Sequence, residues 1–172
     1  METLSEWLTL PAMGALVRSS GWVWPIAEIL HYLGMALLLG TVGFLDLRIL
    51  GVGKGVPMRA LARFVPIGVF GFALNALTGF MFVTGNPLGK PIDYFTNLAF
   101  EMKMLLILLA AINLLVFYVT GISRRIDALP AGADAPTAAK VIAALSLVFW
   151  VGVIYFGRMI MYNATLLYSL GL

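Results

Sequence analysis

The chain has 172 residues, of which 62% are hydrophobic and 11% charged, and it carries a formal net charge of +3. A soluble domain averages about 25% charged and about 45–50% apolar residues, so this composition excludes a water-soluble fold and makes lipid the solvent. Cysteine is absent, which excludes disulfides, thiolate metal sites and cysteine nucleophiles.

In chain order, residues 1–20 come first, opening "METLSEW". They lack the basic n-region of a cleavable signal peptide, and none is expected. Pro11 and Gly14 make the stretch too broken to span a bilayer. Leu4, Trp7 and Leu8 share one helical face, which predicts a short interfacial helix lying along the membrane surface. A membrane-crossing helix needs about 20 mostly apolar residues, and four segments reach that length: 22–45, 64–84, 98–121 and 141–165. Pro25 and Pro66 fall in first turns, where the missing N–H costs nothing, and Asn97 and Thr137 are N-cap residues for the third and fourth helices. The connections "GVGKGVP", "GNPLGKP" and "LPAGADAP" supply helix-breaking Gly and Pro. The expected fold is all-α: one integral membrane domain over residues 1–172, a four-helix bundle preceded by the interfacial helix.

The first connection and its flanks carry Arg48, Lys54, Arg59 and Arg63, and the third carries Arg124, Arg125 and Lys140, against Arg18 and Lys90 on the opposite side. This asymmetry is the positive-inside pattern. It predicts that both termini lie on the outer side of the membrane, outside the cytoplasm. The basic residues read as topology anchors, and no nucleic-acid partner is expected. Asp46 and Arg48 read as an interfacial pair.

"AEILHYLGMALLLG" places Glu28 and His31, the only histidine, in an apolar run. At about 1.5 Å per residue, Glu28 and His31 lie roughly 9 and 13 Å inward from Trp22. Lys103 and Arg158 reach a similar depth on the third and fourth helices, with Asn75 of the second somewhat below them. Ionisable groups at that depth cost about 2.5–3.5 kcal/mol each, so they face the bundle interior and find partners. The expectation is a buried cluster near the outer face in which Glu28 neutralises Arg158 or Lys103 and orients His31. The alternative is a polar clasp that fixes helix register without chemistry.

"EMKM" and "RMIMY" offer thioethers, which read as packing because residues two apart point to opposite sides of a helix. Gly34, Gly40, Gly68, Gly71, Gly152 and Gly157, with the Asn75–Thr78–Gly79 run, read as helix–helix contact surfaces. No phosphate-binding loop, Ser/His/Asp set or paired-carboxylate arrangement is present, so nothing in the residues marks an enzyme.

The segments "ILHYLGMALLLGTVGFLDLRIL", "ALNALTGFMF" and "EMKMLLILLAAINLL" resemble the helices of a widespread bacterial family of uncharacterised four-helix inner-membrane proteins. More distantly they are similar to the copper-resistance D and membrane protoporphyrinogen oxidase families. In the oxidase relatives a first-helix histidine is associated with haem binding and a lysine opening the third helix is among the functional residues; His31 and Lys103 match those positions. Those relatives carry further histidines, one near the end of the third helix, where this chain has Phe117 and Tyr118. Bis-histidine ligation within one chain is therefore excluded.

Three functions follow as expectations. In the first, His31 is the metal ligand of haem b, Lys103 and Arg158 hold the propionates, and Glu28 accepts the other imidazole N–H. In the second, Glu28, His31 and Lys103 form a proton or ion site in a small oligomeric transporter. In the third, the chain is a non-catalytic subunit of a larger membrane complex. The partners expected throughout are the lipid bilayer and either a second copy or that complex.

Overall fold

A computed structural model of the protein describes residues 10–86 and 89–171. Within them the chain is all helical: α1 (Pro11–Ser19), α2 (Val23–Leu50), α3 (Met58–Ala62), α4 (Val65–Thr84), α5 (Pro91–Phe95), α6 (Leu98–Val119), α7 (Ile122–Asp127), α8 (Thr137–Met159), a 3₁₀ turn (Ile160–Tyr162) and α9 (Asn163–Leu170). Four helical stretches are long and apolar enough to cross a membrane, centred on α2, α4, α6 and α8. Their outward faces carry large uncovered apolar side chains, among them Phe44, Phe70, Leu108, Leu115 and Val148. Helices apolar on every side have no water-facing solution. The chain is a membrane protein built on a four-helix bundle.

The first span runs five residues beyond the expected Leu45. Nothing stops it before Gly51, which takes φ 110° and turns its N–H onto the Leu47 and Arg48 carbonyls, a left-handed helix end that glycine tolerates best. The fourth starts at Thr137, not 141. Thr137 is its first helical residue; Pro136 holds the cap position, so the expected Thr137 cap is corrected. The fourth also breaks at Ile160–Tyr162, where Asn97 Nδ2 donates to the Ile160 carbonyl at 3.0 Å. Asn97 caps α6 as expected, accepting from the Phe100 N–H at 3.1 Å.

At α1, Pro11 starts the helix in place of breaking it, and Val17 is buried. The face formed by Leu4, Trp7 and Leu8 lies outside the described residues. A Cβ added to Gly85 would come within 2.9 Å of Met13 and 3.2 Å of Val17, so α1 packs on the end of α4.

Around the bundle α2 packs against α4 and α8, and α8 against α6, whereas α4 and α6 are not packed on one another. The α2–α4 crossing is set by glycine. A Cβ on Gly34 would lie 2.8 Å from the Gly71 carbonyl, and one on Gly71 would lie 2.6 Å from the Gly34 carbonyl. Gly68, Gly152 and Gly157 likewise abut Thr41, Leu106 and Lys103; Gly40 meets nothing within 4 Å and is no contact residue.

The apolar core sits at the basic end, around Ile49, Met58, Ile126, Ala139 and Ala143. There Arg48, 2% exposed, donates to the Val56 carbonyl at 2.8 Å and the Ala133 carbonyl at 3.4 Å. Asp134 joins Lys54 at 2.8 Å to Lys140 at 3.1 Å. Two connections are thereby tied to each other and to the end of α2.

Candidate functional site

His31 lies on the α4-facing side of α2, half-buried. Its Nδ1 is 2.8 Å from Thr78 Oγ1 on α4, and its ring lies 5.3 Å from that of Phe82, one turn further along. Thr78 is 5% exposed, and its hydroxyl is 2.7 Å from the Leu74 carbonyl, the usual back-bond of a threonine inside a helix. A hydroxyl has one proton. With that proton on Leu74, the Thr78 oxygen can only accept, which assigns the proton of His31 to Nδ1. Nε2 then carries the lone pair, and it has no hydrogen-bond partner among the described residues. Gly79 leaves the imidazole uncrowded: a Cβ there would stop 3.7 Å from Cε1.

Lys103, from α6, is half-buried. Its ammonium would lie 3.5 Å from a Cβ at Gly157 of α8, and its charge is within electrostatic range of His31. Both ion pairs among the described residues belong to Asp134, so none of the described carboxylates neutralises Lys103.

The remaining members of the expected cluster lie elsewhere. Glu28 is exposed and accepts from Trp24 Nε1 at 3.1 Å. It neutralises neither Arg158 nor Lys103, and Thr78 takes the orienting place beside His31 that Glu28 was expected to fill. Arg158 is exposed too, its guanidinium 5.4 Å over the Tyr162 ring and 3.5 Å from that hydroxyl. Asn75 donates to the Gly71 carbonyl at 3.2 Å and fills the helix crossing beside Gly34. Thr78, expected only as a contact residue, is thus the one that positions the imidazole.

A second polar group lies about 22 Å further along α2 by its rise. Asp46 and Arg48 do not form the expected pair. Residues two apart on a helix diverge by about 200°, and while Arg48 turns to the connections, Asp46 turns inward, 7% exposed. The Ser146 hydroxyl of α8 faces its carboxyl group, and its Oδ2 is buried with no hydrogen-bond partner among the described residues. It lines a cavity of about 600 Å³ between the four long helices. The signals were two charges at a spacing that forbids a shared face and one serine in the apolar run of α8.

Among the described residues no group of three or more His, Asp or Glu side chains is placed to hold a metal ion. Compared with known proteins, the chain has no significant match to any family model, curated protein or solved structure.

Proposed function

We propose that this is an inner-membrane protein, both termini on the outer side, in which His31 is the single protein ligand of a redox cofactor, haem b being the one its donors fit. The observation that carries this is the His31–Thr78 hydrogen bond. An imidazole that donates Nδ1–H to a fixed acceptor presents Nε2 as a basic, oriented lone pair, the arrangement found at metal-ligating histidines. Lys103, with no carboxylate partner among the described residues, is the cation available to an anionic propionate, and the exposed Arg158 offers a second. With a single histidine in the chain, His31 would be the one imidazole to hold the group.

Haem bound there would supply one-electron chemistry. The chain's own part is to orient the imidazole through Thr78, compensate negative charge through Lys103 and keep the centre inside the membrane. The orientation rests on the seven Lys and Arg residues at the basic end against Arg18 and Lys90 opposite. The partners on this reading are lipid and either a second copy or a larger membrane complex.

The experiment is the visible absorption spectrum of the protein purified from membranes, oxidised and reduced, beside His31→Ala. A haem spectrum that His31→Ala loses while keeping its helical circular dichroism supports the ligand role. A spectrum that survives the substitution, or none after haem is supplied, refutes it. Orientation is read separately: in this cysteine-free chain, Lys90→Cys should react with an impermeant thiol reagent on intact cells and Pro130→Cys should not.

A further inference from the structure

The cavity that Asp46 lines begins at Leu38, two turns of α2 beyond His31, and includes neither His31 nor Lys103; it plays no part in the proposal above. It arises from the packing order. Because α4 and α6 each lean on a neighbour and not on one another, the bundle is open along one side. The walls of the gap are apolar and aromatic, with Phe72 of α4, Phe117 and Tyr118 of α6 and Trp150 of α8 among them. Its volume, about 600 Å³, falls in the range of about 300–1,000 Å³ typical of small-molecule sites. Val69 and Phe72 on α4, and Leu114 and Tyr118 on α6, are exposed on either side of the gap. Entry is therefore lateral, from the surroundings of the bundle.

The charged groups on its wall are two and of one sign. Asp46 and Asp127 line it, and no Lys, Arg or His does. Asn113 spends its amide on the Ile142 carbonyl at 3.0 Å. Asp46 faces the Ser146 hydroxyl, and although a carboxylate accepts about four hydrogen bonds, its Oδ2 is buried with none among the described residues. Arg48, the nearest cation in sequence, is committed to carbonyls of the connections. A buried acid with no counter-charge, set in an apolar and aromatic chamber open to lipid, lacks a positive partner with an apolar body. Aromatic faces add to the attraction for a cation.

We infer that this chamber is a binding site for a lipophilic organic monocation, entered between α4 and α6, with Asp46 as its counter-ion. The class of ligand follows from the chamber: apolar enough to arrive through lipid, singly charged to match the one buried carboxylate, Asp127 being exposed, and of the size the volume allows.

The test uses two probes alike in shape and opposite in charge, tetraphenylphosphonium and tetraphenylborate. Equilibrium binding is measured to the full chain in nanodiscs of phosphatidylcholine, which carries no net charge to concentrate either ion. Saturable binding of the phosphonium at one site per chain is expected, with no saturable binding of the borate. Asp46→Asn, close in shape to the native residue, should weaken the phosphonium at least tenfold. Ala111→Trp, which fills the mouth and leaves the acid in place, should abolish binding; it decides the matter if Asp46→Asn fails to fold. His31→Ala should bind the phosphonium as the native chain does, which separates this site from the proposed cofactor site. Absence of saturable phosphonium binding, equal binding of the borate, or native affinity in either cavity variant would overturn the inference.

Discussion

His31 Nδ1 and Thr78 Oγ1 stand 2.8 Å apart, on two helices whose backbones meet at Gly34 and Gly71. The hydrogen bond depends on the crossing, because Gly34 and His31 lie one turn apart on α2. The crossing brings α4 close enough for a side chain as short as threonine to reach the imidazole. Helix packing thereby determines which imidazole nitrogen is left free.

Thr78→Val keeps the shape of the side chain and removes the acceptor. Loss of a partner that orients a metal-bound histidine typically costs about 10–100-fold in affinity. Titration of the purified protein with haem should show a loss of that order, and Thr78→Ser should restore most of it. Unchanged affinity in Thr78→Val would mean that the hydroxyl does not orient the ring.

Gly71→Ala forces a methyl to within 2.6 Å of the Gly34 carbonyl and 2.8 Å of the Leu38 nitrogen. Backbone atoms cannot step aside as a flexible side chain can, and overpacking of this kind costs about 1–3 kcal/mol. Gly40→Ala meets nothing within 4 Å and should be neutral or stabilising by up to about 1 kcal/mol, the helix preference of alanine over glycine. Denaturant unfolding in detergent compares the two; equal effects would argue against the glycine crossing.

What the sequence made legible follows a physical division. The four spans stand out because a bilayer demands about 20 apolar residues, and the rise per residue gave the depth of each polar group. Depth is one coordinate, and the other is rotation about the helix axis. Ala27, His31, Gly34, Leu38 and Thr41 follow a 4-3-4-3 spacing, the rhythm of a packed seam, and the structure turns this stripe inward. Glu28, one residue off the stripe, faces out. On α8 the stripe Ala139, Ala143, Ser146, Trp150, Val153, Gly157 leaves Arg158 one residue off in the same way, while Ser146 on it meets Asp46. The spacing was present in the sequence; the partner of each stripe was not. Which helices stay apart, and hence the chamber beside Asp46, depends on pairwise packing that composition does not encode.

The ties between the connections carry a pH dependence. Asp134 accepts from Lys54 at 2.8 Å and Lys140 at 3.1 Å, and the hydrogen bonds from these ammonium groups, Lys54 first, hold its carboxyl below the ordinary value. With the folded value depressed, its contribution is complete above the unfolded value of about 3.9 and is lost as pH falls through the folded one. The group is exposed, so the contribution is small and shrinks with salt. In low salt, Asp134→Asn should lower Tm slightly at neutral pH and lose less than the native protein on acidification to about pH 2. Parallel acid losses in the two proteins would show that the ion pairs do not stabilise the fold.

The central claim is that His31, oriented by Thr78 and without Glu28, is the cofactor ligand of this bundle. The direct measurement is a haem titration of the purified native chain, His31→Ala and Glu28→Gln, followed by visible absorption with folding checked by circular dichroism. The account predicts one haem per native chain, no saturable spectrum for His31→Ala, and native binding for Glu28→Gln, whose carboxylate serves Trp24. Saturable binding by His31→Ala with native affinity, or a loss in Glu28→Gln as large as that in His31→Ala, would contradict it.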